Sequence, residues 1–157
     1  MKTDFVNLVK RGETEGVRAV IGSFAISDFY DEEGFPLLFW AIQEGHLDVA
    51  KLLIQQGANP DTAAEGVTAL MNAAAEDDID AIKLLIDLGA SVNHHEDQGT
   101  ALHSACAYGN LEAANLLLSR GANVNETNAD GETPLSFAKE TGNAEVISLL
   151  LQNGAQE

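Results

Sequence analysis

Several acidic residues in this sequence are close enough together to bind a cation. Glu76, Asp77, Asp78 and Asp80 all lie between residues 76 and 80, and carboxylate oxygens are the ligands that calcium prefers. A calcium-binding loop also needs a central glycine and a closing glutamate, and neither follows at the required spacing. We therefore interpret these acids as a solvated turn whose charge favours the start of the next helix.

The histidines and the single cysteine give weaker signals. His94 and His95 lie beside Glu96, but adjacent histidines rarely converge on one zinc ion and no further ligand has a suitable spacing. An exposed hairpin loop is the better interpretation. Cys106 follows Ala105 and has no base near it in sequence, so it is interpreted as a small core residue. We expect neither a metal nor a cofactor.

The sequence contains none of the familiar catalytic motifs. Nucleophile elbows, phosphate-binding loops, dinucleotide fingerprints, paired metalloprotease histidines and paired cysteine ligands are all absent. The acids fall on turns and loops and do not converge on one helix face. A non-catalytic protein is therefore expected, and a catalytic site assembled across several structural units is the alternative left open.

The units that carry these residues are internal repeats. Equivalent leucines are separated by 32, 32 and 33 residues, and equivalent alanines, Leu-Leu pairs and Gly-Ala pairs keep the same register. The equivalent residues are Leu38, Leu70, Leu102 and Leu135; Ala41, Ala73, Ala105 and Ala138; Leu53, Leu85, Leu117 and Leu150; and Gly57, Gly89, Gly121 and Gly154. Four registers that agree indicate a repeat protein.

Residues 97–125 show the structure that each unit predicts. Thr100 precedes a first helix, Gly109 and Asn110 break the chain, and an apolar stripe marks a second helix that ends at Gly121. Such a unit is too small to bury its apolar face alone and needs copies on either side. By the same register Leu84 is predicted to be interior, so that Leu84→Ala should cost about 2–5 kcal/mol.

The repeat resembles the ankyrin repeat, whose signature is a Gly-x-Thr-Pro-Leu-His-x-Ala opening and a Gly-Ala ending at a period near 33. The openings here are GFPLLFWA, GVTALMNA, QGTALHSA and GETPLSFA. The third has the histidine but lacks the signature's glycine and proline, and the fourth has Ser136 in place of histidine. The resemblance implies a single domain, residues 1–157, folded as an all-α solenoid of helix-turn-helix units with short hairpin-like loops. We divide it into a degenerate N-terminal repeat (4–30), repeat 1 (31–62), repeat 2 (63–94), repeat 3 (95–127) and repeat 4 (128–157).

Several single positions carry predictions of their own. Asp77 stands where the other repeats have glycine, at a turn that requires a positive φ. Thr133 is expected to cap a helix that begins at Pro134. The resemblance implies that His103 hydrogen-bonds backbone between neighbouring loops. Residues 24–40 hold six of the nine aromatic residues: Phe24, Phe29, Tyr30, Phe35, Phe39 and Trp40. Packing is expected for Trp40, while packing and partner binding stay open for Phe35.

The charge is strongly negative and unevenly distributed. The net charge is −17, and residues 1–18 hold four bases and three acids, so residues 19–157 hold four bases and 22 acids. This field would repel a phosphate backbone, which disfavours nucleic acid, and would steer a basic partner toward the repeats. The alternative is that the acidity serves solubility.

The resemblance implies partner contacts at the loop tips and at the ends of the first helices. In repeats 1 to 4 we expect the contacts at Glu32, Glu33, Phe35, Gln43 and Glu44; Glu65, Val67 and Glu76; Glu96, Asp97 and Tyr108; and Glu132. The wider set of such positions also includes Ala64, Ala75, Gly99, Ala107, Ala129, Asp130, Glu140 and Thr141. These positions contain no Lys or Arg, and the apolar ones would act as anchors within an acidic rim. The expected partner is another protein, with a basic surface.

Two further functions remain as alternatives. A small acidic ankyrin protein resembles the immunity proteins that neutralise basic toxins, so a dedicated inhibitor is one. The other is a substrate of an asparaginyl hydroxylase, because Leu85 and Leu117 each lie eight residues before an asparagine, Asn93 and Asn125. That spacing is intrinsic to the repeat and adds little beyond the fold.

The sequence also predicts the location and state of the protein. Its longest apolar run, residues 35–42, is too short to cross a membrane, and its N-terminus carries charges where a signal peptide needs an apolar run. A single cysteine fits a reducing compartment. We expect a soluble, cytoplasmic monomer.

Overall fold

The computed structural model describes residues 2–23, 30–31 and 33–156. Its helices follow one another in pairs: α1 (Lys2–Lys10) and α2 (Thr14–Ile21), α3 (Leu37–Gln43) and α4 (Leu47–Gln55), α5 (Ala69–Ala75) and α6 (Ile79–Asp87), α7 (Ala101–Ala107) and α8 (Leu111–Ser119), α9 (Pro134–Thr141) and α10 (Ala144–Gln152). One antiparallel hairpin joins β1 (Ala63–Ala64) to β2 (Val67–Thr68). The predicted all-α solenoid is confirmed. The predictions for Phe24, Phe29 and Glu32 fall outside the described residues.

Polar side chains cap the N-termini of several helices. The hydroxyl of Thr68 accepts a hydrogen bond from Met71 N–H at the start of α5, and the carboxylate of Asp78 accepts one from Ala81 N–H at the start of α6. Thr133 caps α9 through a reciprocal pair of hydrogen bonds with Ser136, and Pro134 is the first residue of that helix. These bonds occupy backbone N–H groups that have no partner within the helix. The predicted cap at Thr133 is confirmed.

The turns between paired helices require a left-handed residue. Gly45, Gly109 and Gly142 have φ values of 72°, 70° and 70°, and Asp77 occupies the equivalent position with φ 56°. This confirms the predicted turn. An aspartate is strained there, but its Oδ1 accepts a hydrogen bond of 2.9 Å from Ala113 N–H of α8 in the next repeat. The carboxylate therefore adds a link between repeats that a glycine would lack.

The helices form two stacked layers. The first helices of the pairs pack on one another, and the second helices do the same less closely. The equivalent alanines of the first layer, such as Ala73 and Ala105, are at most 1% exposed, and their small side chains permit this close approach. Stacked repeats place their first helices and loop tips along one concave surface, so we call the surface of the first layer with its adjoining loops the concave face. In the part of the chain that the structure describes, no helix has the length and apolar character needed to cross a bilayer.

The burial of the leucine pairs differs from the prediction in one respect. Leu84 is only partly buried and lies at the edge of the core, whereas Leu85 is completely buried, as are Leu53, Leu117 and Leu150. Adjacent residues on a helix point about 100° apart. The face of α6 that points into the core is therefore centred on the second leucine of the pair, and the assignment of Leu84 to the interior is wrong.

This difference predicts unequal effects of two matched substitutions. Leu85→Ala should lower the free energy of unfolding by about 2–5 kcal/mol, because the surrounding helices cannot close the cavity. Leu84→Ala should cost less than half as much, since part of that side chain is already in contact with water. Urea denaturation followed by circular dichroism measures both, and equal losses would contradict the burial described here.

Candidate interaction surface

A groove of about 850 Å³ runs along the concave face between repeats 3 and 4. The C-terminal ends of α7 and α9 line it together with the loops at residues 97–98 and 128–132. Four acids lie on it, Asp97, Asp130, Glu132 and Glu140, and no Lys or Arg is among its lining residues. The groove is therefore an open, strongly negative surface.

Tyr108 gives this groove an apolar anchor. It follows α7 directly and its side chain is 70% exposed, far more than the other large apolar residues that the structure describes. A tyrosine in this position is not needed for packing, and its ring can cover an apolar or cationic group of a partner. Phe137 of α9 also lines the groove. Aromatic surface and carboxylates thus lie side by side.

His103 forms the floor of the groove and joins two repeats. Its side chain is 2% exposed. Because Thr100 N–H donates to Nδ1 at 3.0 Å, Nε2 must carry the proton that it donates to the backbone oxygen of Glu132 at 3.1 Å. The ring of Phe137 packs edge-on against it, with centroids 5.8 Å apart. Burial lowers the pKa of His103, so the neutral imidazole is favoured. The predicted bond between neighbouring loops is confirmed.

Asn128 holds the loop that forms one rim of the groove. It is 8% exposed, and its Oδ1 accepts hydrogen bonds from the N–H groups of Asp130 and Glu132 at 3.0 and 2.8 Å. Its Nδ2 donates to the Glu132 carboxylate at 2.9 Å, and Ala129 N–H donates to the Asp97 backbone oxygen at 3.0 Å. Glu132 therefore helps to shape the loop as well as contributing charge.

The loop tips of repeat 2 and the adjacent part of repeat 3 carry several predicted contacts. Glu65 and Gly66, with φ values of 51° and 76°, form the two-residue turn of the hairpin, a geometry in which both residues must be left-handed. This leaves Glu65 exposed and Val67 half-buried. Glu96 is half-buried and accepts a hydrogen bond of 2.8 Å from His94 Nε2. Glu65 is thus the freer of the two carboxylates.

The aromatic residues of repeat 1 pack against one another. The rings of Phe35, Phe39 and Trp40 have centroids 5.0, 5.8 and 5.9 Å apart. The Trp40 indole N–H donates to the Asp31 carboxylate at 2.5 Å, and the Lys10 ammonium lies 3.4 Å from the centroid of the Trp40 ring. Trp40 therefore packs, as expected. Phe35 is half-buried in the same cluster, and its contact with a partner stays a prediction.

Asp31 is the polar centre of this cluster. Its side chain is 7% exposed, and burial alone would raise its pKa. The hydrogen bonds from Phe35 N–H, the Trp40 indole and Glu33 N–H, together with the Lys10 charge, outweigh burial and lower the pKa of Asp31 below its ordinary value. The carboxylate is therefore ionised at neutral pH and occupied by partners within the chain.

The structure brings together some of the predicted contact residues and separates others. Asp97, Tyr108 and Glu132 line the main groove, with Ala107, Ala129, Asp130, Glu140 and Thr141 from the wider set. Gln43 and Glu76 line a smaller cleft of about 210 Å³ between α3 and α5. Neither space is lined by Glu33, Phe35, Glu44, Glu65, Val67 or Glu96, nor by Ala64, Ala75 or Gly99 of the wider set. Sequence reasoning missed Phe137 as a groove residue, although it lies three residues before Glu140 and so on the same helix face.

The residues considered for metal or nucleophilic chemistry have structural roles. The structure places no three His, Cys, Asp or Glu side chains of its described ranges where they could hold an ion together. Asp77 and Asp78 cap helices, and His95 Nε2 donates to the Thr127 backbone oxygen at 2.7 Å. Cys106 is completely buried, and burial raises its pKa to about 12. The neutral thiol is a core group and not a nucleophile.

Comparison with known families agrees with this geometry. A family model described as ankyrin repeats in three copies matches residues 38–128 and 70–157. These overlapping matches together cover well over half of the chain. They begin within repeat 1, so the N-terminal repeat lies outside them. No match to the sequence was found among curated proteins.

The buried His103 predicts a pH-dependent contribution to stability. Because its pKa is lowered in the folded state, the unfolded chain takes up a proton first as the pH falls. The contribution is complete above the ordinary histidine pKa of about 6.5 and is lost progressively below it. The stability advantage of the unmodified protein over His103→Gln should therefore shrink between pH 7.5 and pH 5.

Urea denaturation at several pH values measures this difference. The remaining histidines, His46, His94 and His95, are present in both proteins, so their contributions largely cancel. A stability difference that stays constant between pH 7.5 and 5 would show that His103 is not held neutral by burial.

Proposed function

This chain belongs to the ankyrin-repeat family, and on that premise we propose that its acidic concave face binds a basic region of another protein. Repeats of this family form protein-interaction modules and are in general non-catalytic. What we add to this family property is the surface that binds and the charge of the partner. Its support comes from the groove between repeats 3 and 4.

The combination of charge and aromatic exposure in that groove carries the proposal. Its four carboxylates attract Lys and Arg side chains, and complementary charge raises the rate of encounter and selects against acidic partners. Tyr108, 70% exposed at the same place, can cover the aliphatic part or the charged end of such a side chain. A basic segment therefore finds both an electrostatic and an apolar contact.

The distribution of bases supports the same face. After residue 18 the chain has only four, Lys51, Lys83, Arg120 and Lys139. The first three lie on, or directly after, the second helices, and Lys83 and Arg120 are paired there with Asp80 and Asp87 at 3.9 and 2.9 Å. Exposed acids of the other layer and its loops include Glu44, Glu65 and Asp97, and Lys139 of α9 is the one base after residue 18 in that layer. A dedicated inhibitor would use this same surface, with a basic toxin or enzyme as its partner.

The asparaginyl hydroxylase alternative gains no support from the geometry. Asn93 Nδ2 donates to the Gly121 backbone oxygen at 3.0 Å while its Oδ1 accepts from Asn123 N–H at 2.8 Å. Asn125 makes the equivalent pair of bonds with Gly154 and Gln156 at 3.1 and 2.9 Å. Both side-chain amides are thus occupied by backbone groups of the next repeat, so these asparagines have a structural explanation.

The proposal predicts that reversing charge on the concave face weakens partner binding. A Glu44→Lys, Glu65→Lys, Asp97→Lys variant should bind the partner at least about tenfold more weakly at low salt, since each change replaces attraction by repulsion. The loss should shrink as salt screens the charges. The partner is first isolated by affinity capture from the native host, and its affinity is then measured by calorimetric titration at two salt concentrations.

A matched control separates the face from the net charge. Asp48→Lys, Glu112→Lys and Glu145→Lys change the net charge equally but lie, exposed, on the second helices. This control should bind within about threefold of the unmodified protein, and thermal melts confirm that both variants fold. If both variants weakened binding equally, the effect would come from the net charge and not from the concave face. Unchanged binding by the concave variant would move the site to the aromatic cluster around Phe35.

Tyr108 predicts a separate effect. Tyr108→Ala should weaken binding by about 1–2 kcal/mol, the range expected for loss of an exposed aromatic anchor, without changing the slope of affinity against salt. Because the side chain is mostly solvated, the melting temperature should stay the same. A variant that binds as well as the unmodified protein would exclude Tyr108 as an anchor.

A further inference from the structure

One set of side chains ties three of the second helices to the repeat before them. The residue that precedes α8 is Asn110, and its Nδ2 donates to the backbone oxygens of Ala74 and Ala75 at 2.9 and 2.7 Å. Asn143, which precedes α10, donates to the Gly109 oxygen at 2.9 Å. His46, which precedes α4, has its Nε2 3.1 Å from the Lys10 oxygen. Each side chain donates to a backbone oxygen at, or just after, the end of the preceding first helix.

A second set of side chains ties each loop to the repeat after it. Asn93 and Asn125 both use the two ends of the amide, one to accept an N–H and one to donate to a backbone oxygen. The amide is suited to this role because it is both donor and acceptor. Both sets are present between repeats 2 and 3 and between repeats 3 and 4, and each of these junctions therefore has several hydrogen bonds.

At the junction between repeats 1 and 2, both positions hold an aspartate. Asp78 is the equivalent of Asn110, and Asp61 is the equivalent of Asn93, each 32 residues earlier. An ionised carboxylate only accepts hydrogen bonds. Asp78 caps its own helix through Ala81 N–H, and Asp61 keeps the acceptor half by taking Ser91 N–H at 2.9 Å. Within the ranges that the structure describes, the Asp61–Ser91 bond is the one hydrogen bond that crosses this junction.

Packing at this junction is also looser than at the junctions that follow. The cleft of about 210 Å³ lies here, lined by Ile42 and Gln43 on one side and by Asn72 and Asp78 on the other. An asparagine at position 78 would reach across this cleft to the end of α3, as Asn110 reaches the end of α5. The helices α3 and α5 pack on each other less extensively than α5 and α7 do.

More polar contacts cross the junctions on either side, although α1 and α3 pack on each other less extensively than α3 and α5 do. Upstream, the Lys10 ammonium lies 3.6 Å from the Asp31 carboxylate and above the Trp40 ring, and His46 adds its bond to Lys10. Downstream, Asp77 binds Ala113 N–H and Arg120 binds the Asp87 carboxylate, each at 2.9 Å. Among the described residues, the junction between repeats 1 and 2 is therefore the one crossed by the fewest polar contacts.

We propose that the solenoid separates at the junction between repeats 1 and 2. The helices α1 to α4 open as one cooperative unit while repeats 2 to 4 remain folded. In a stack of repeats, stability is close to a sum of repeat terms and neighbour-interface terms, so the weakest interface divides the cooperative units. The inference does not depend on the identity or the charge of a partner.

Native-state hydrogen exchange read by mass spectrometry tests this division. In the unmodified protein, amides of α1 to α4 should exchange through a shared opening that is more frequent than the opening of α5 to α10. The variant Asp61→Asn, Asp78→Asn restores a donor at both positions while keeping the existing acceptors, and asparagine is as good a helix cap as aspartate. Each restored bond should slow exchange in α1 to α4 about fivefold, the factor that corresponds to about 1 kcal/mol at 25 °C.

The reciprocal variant is the matched control. Asn93→Asp, Asn110→Asp removes the same donors from the next junction, so α5 and α6 should exchange faster while α9 and α10 change little. The proposal is overturned if α1 to α4 and α5 to α10 share one opening rate in the unmodified protein. It is equally overturned if the paired asparagines leave the difference between the two halves unchanged.

Discussion

Burial of apolar surface between neighbouring repeats is the constraint on which this structure depends. A single helix pair cannot cover its own leucines, so each repeat is stable because the next one packs on it. The equivalent alanines of the first helices set how closely the repeats approach, and Leu85 with its equivalents fills the space that remains. Stacking then places the first helices and the loop tips along the concave face, where the groove lies.

Aspartate and asparagine differ only in a carboxylate or an amide, and they have different roles along this chain. Aspartate supplies negative charge, and asparagine supplies a hydrogen-bond donor between repeats. Each aspartate adds negative charge to a protein whose net charge is −17, but each one that replaces an amide also removes a donor between repeats. Asp61 and Asp78 both lack this donor at the junction between repeats 1 and 2. Asp77 shows the opposite, because its carboxylate gains a backbone donor from the following repeat. Charge and stacking are therefore coupled through the same few positions.

The repeating pattern predicts what lies inside one repeat better than what lies between repeats. The helix pairs, the left-handed turn at Asp77 and the cap at Thr133 follow from local chemistry or from the register, and the resemblance to the ankyrin repeat implies the role of His103. The choice between Leu84 and Leu85 does not, because it depends on how neighbouring helices are rotated against each other. Phe137 was missed for a related reason, since the groove wall forms only when α9 packs beside α7.

The groove and the weak junction occupy different parts of the stack. Repeats 3 and 4 build the groove, so it can stay intact when α1 to α4 open, whereas the aromatic cluster around Trp40 moves with the opening unit. A partner confined to the groove leaves the opening equilibrium unchanged, because it binds both states equally. A partner that also contacts Gln43 or Glu44 across the junction binds the closed state better and stabilises it by mass action. The length of surface that a partner covers therefore decides whether binding also closes the solenoid.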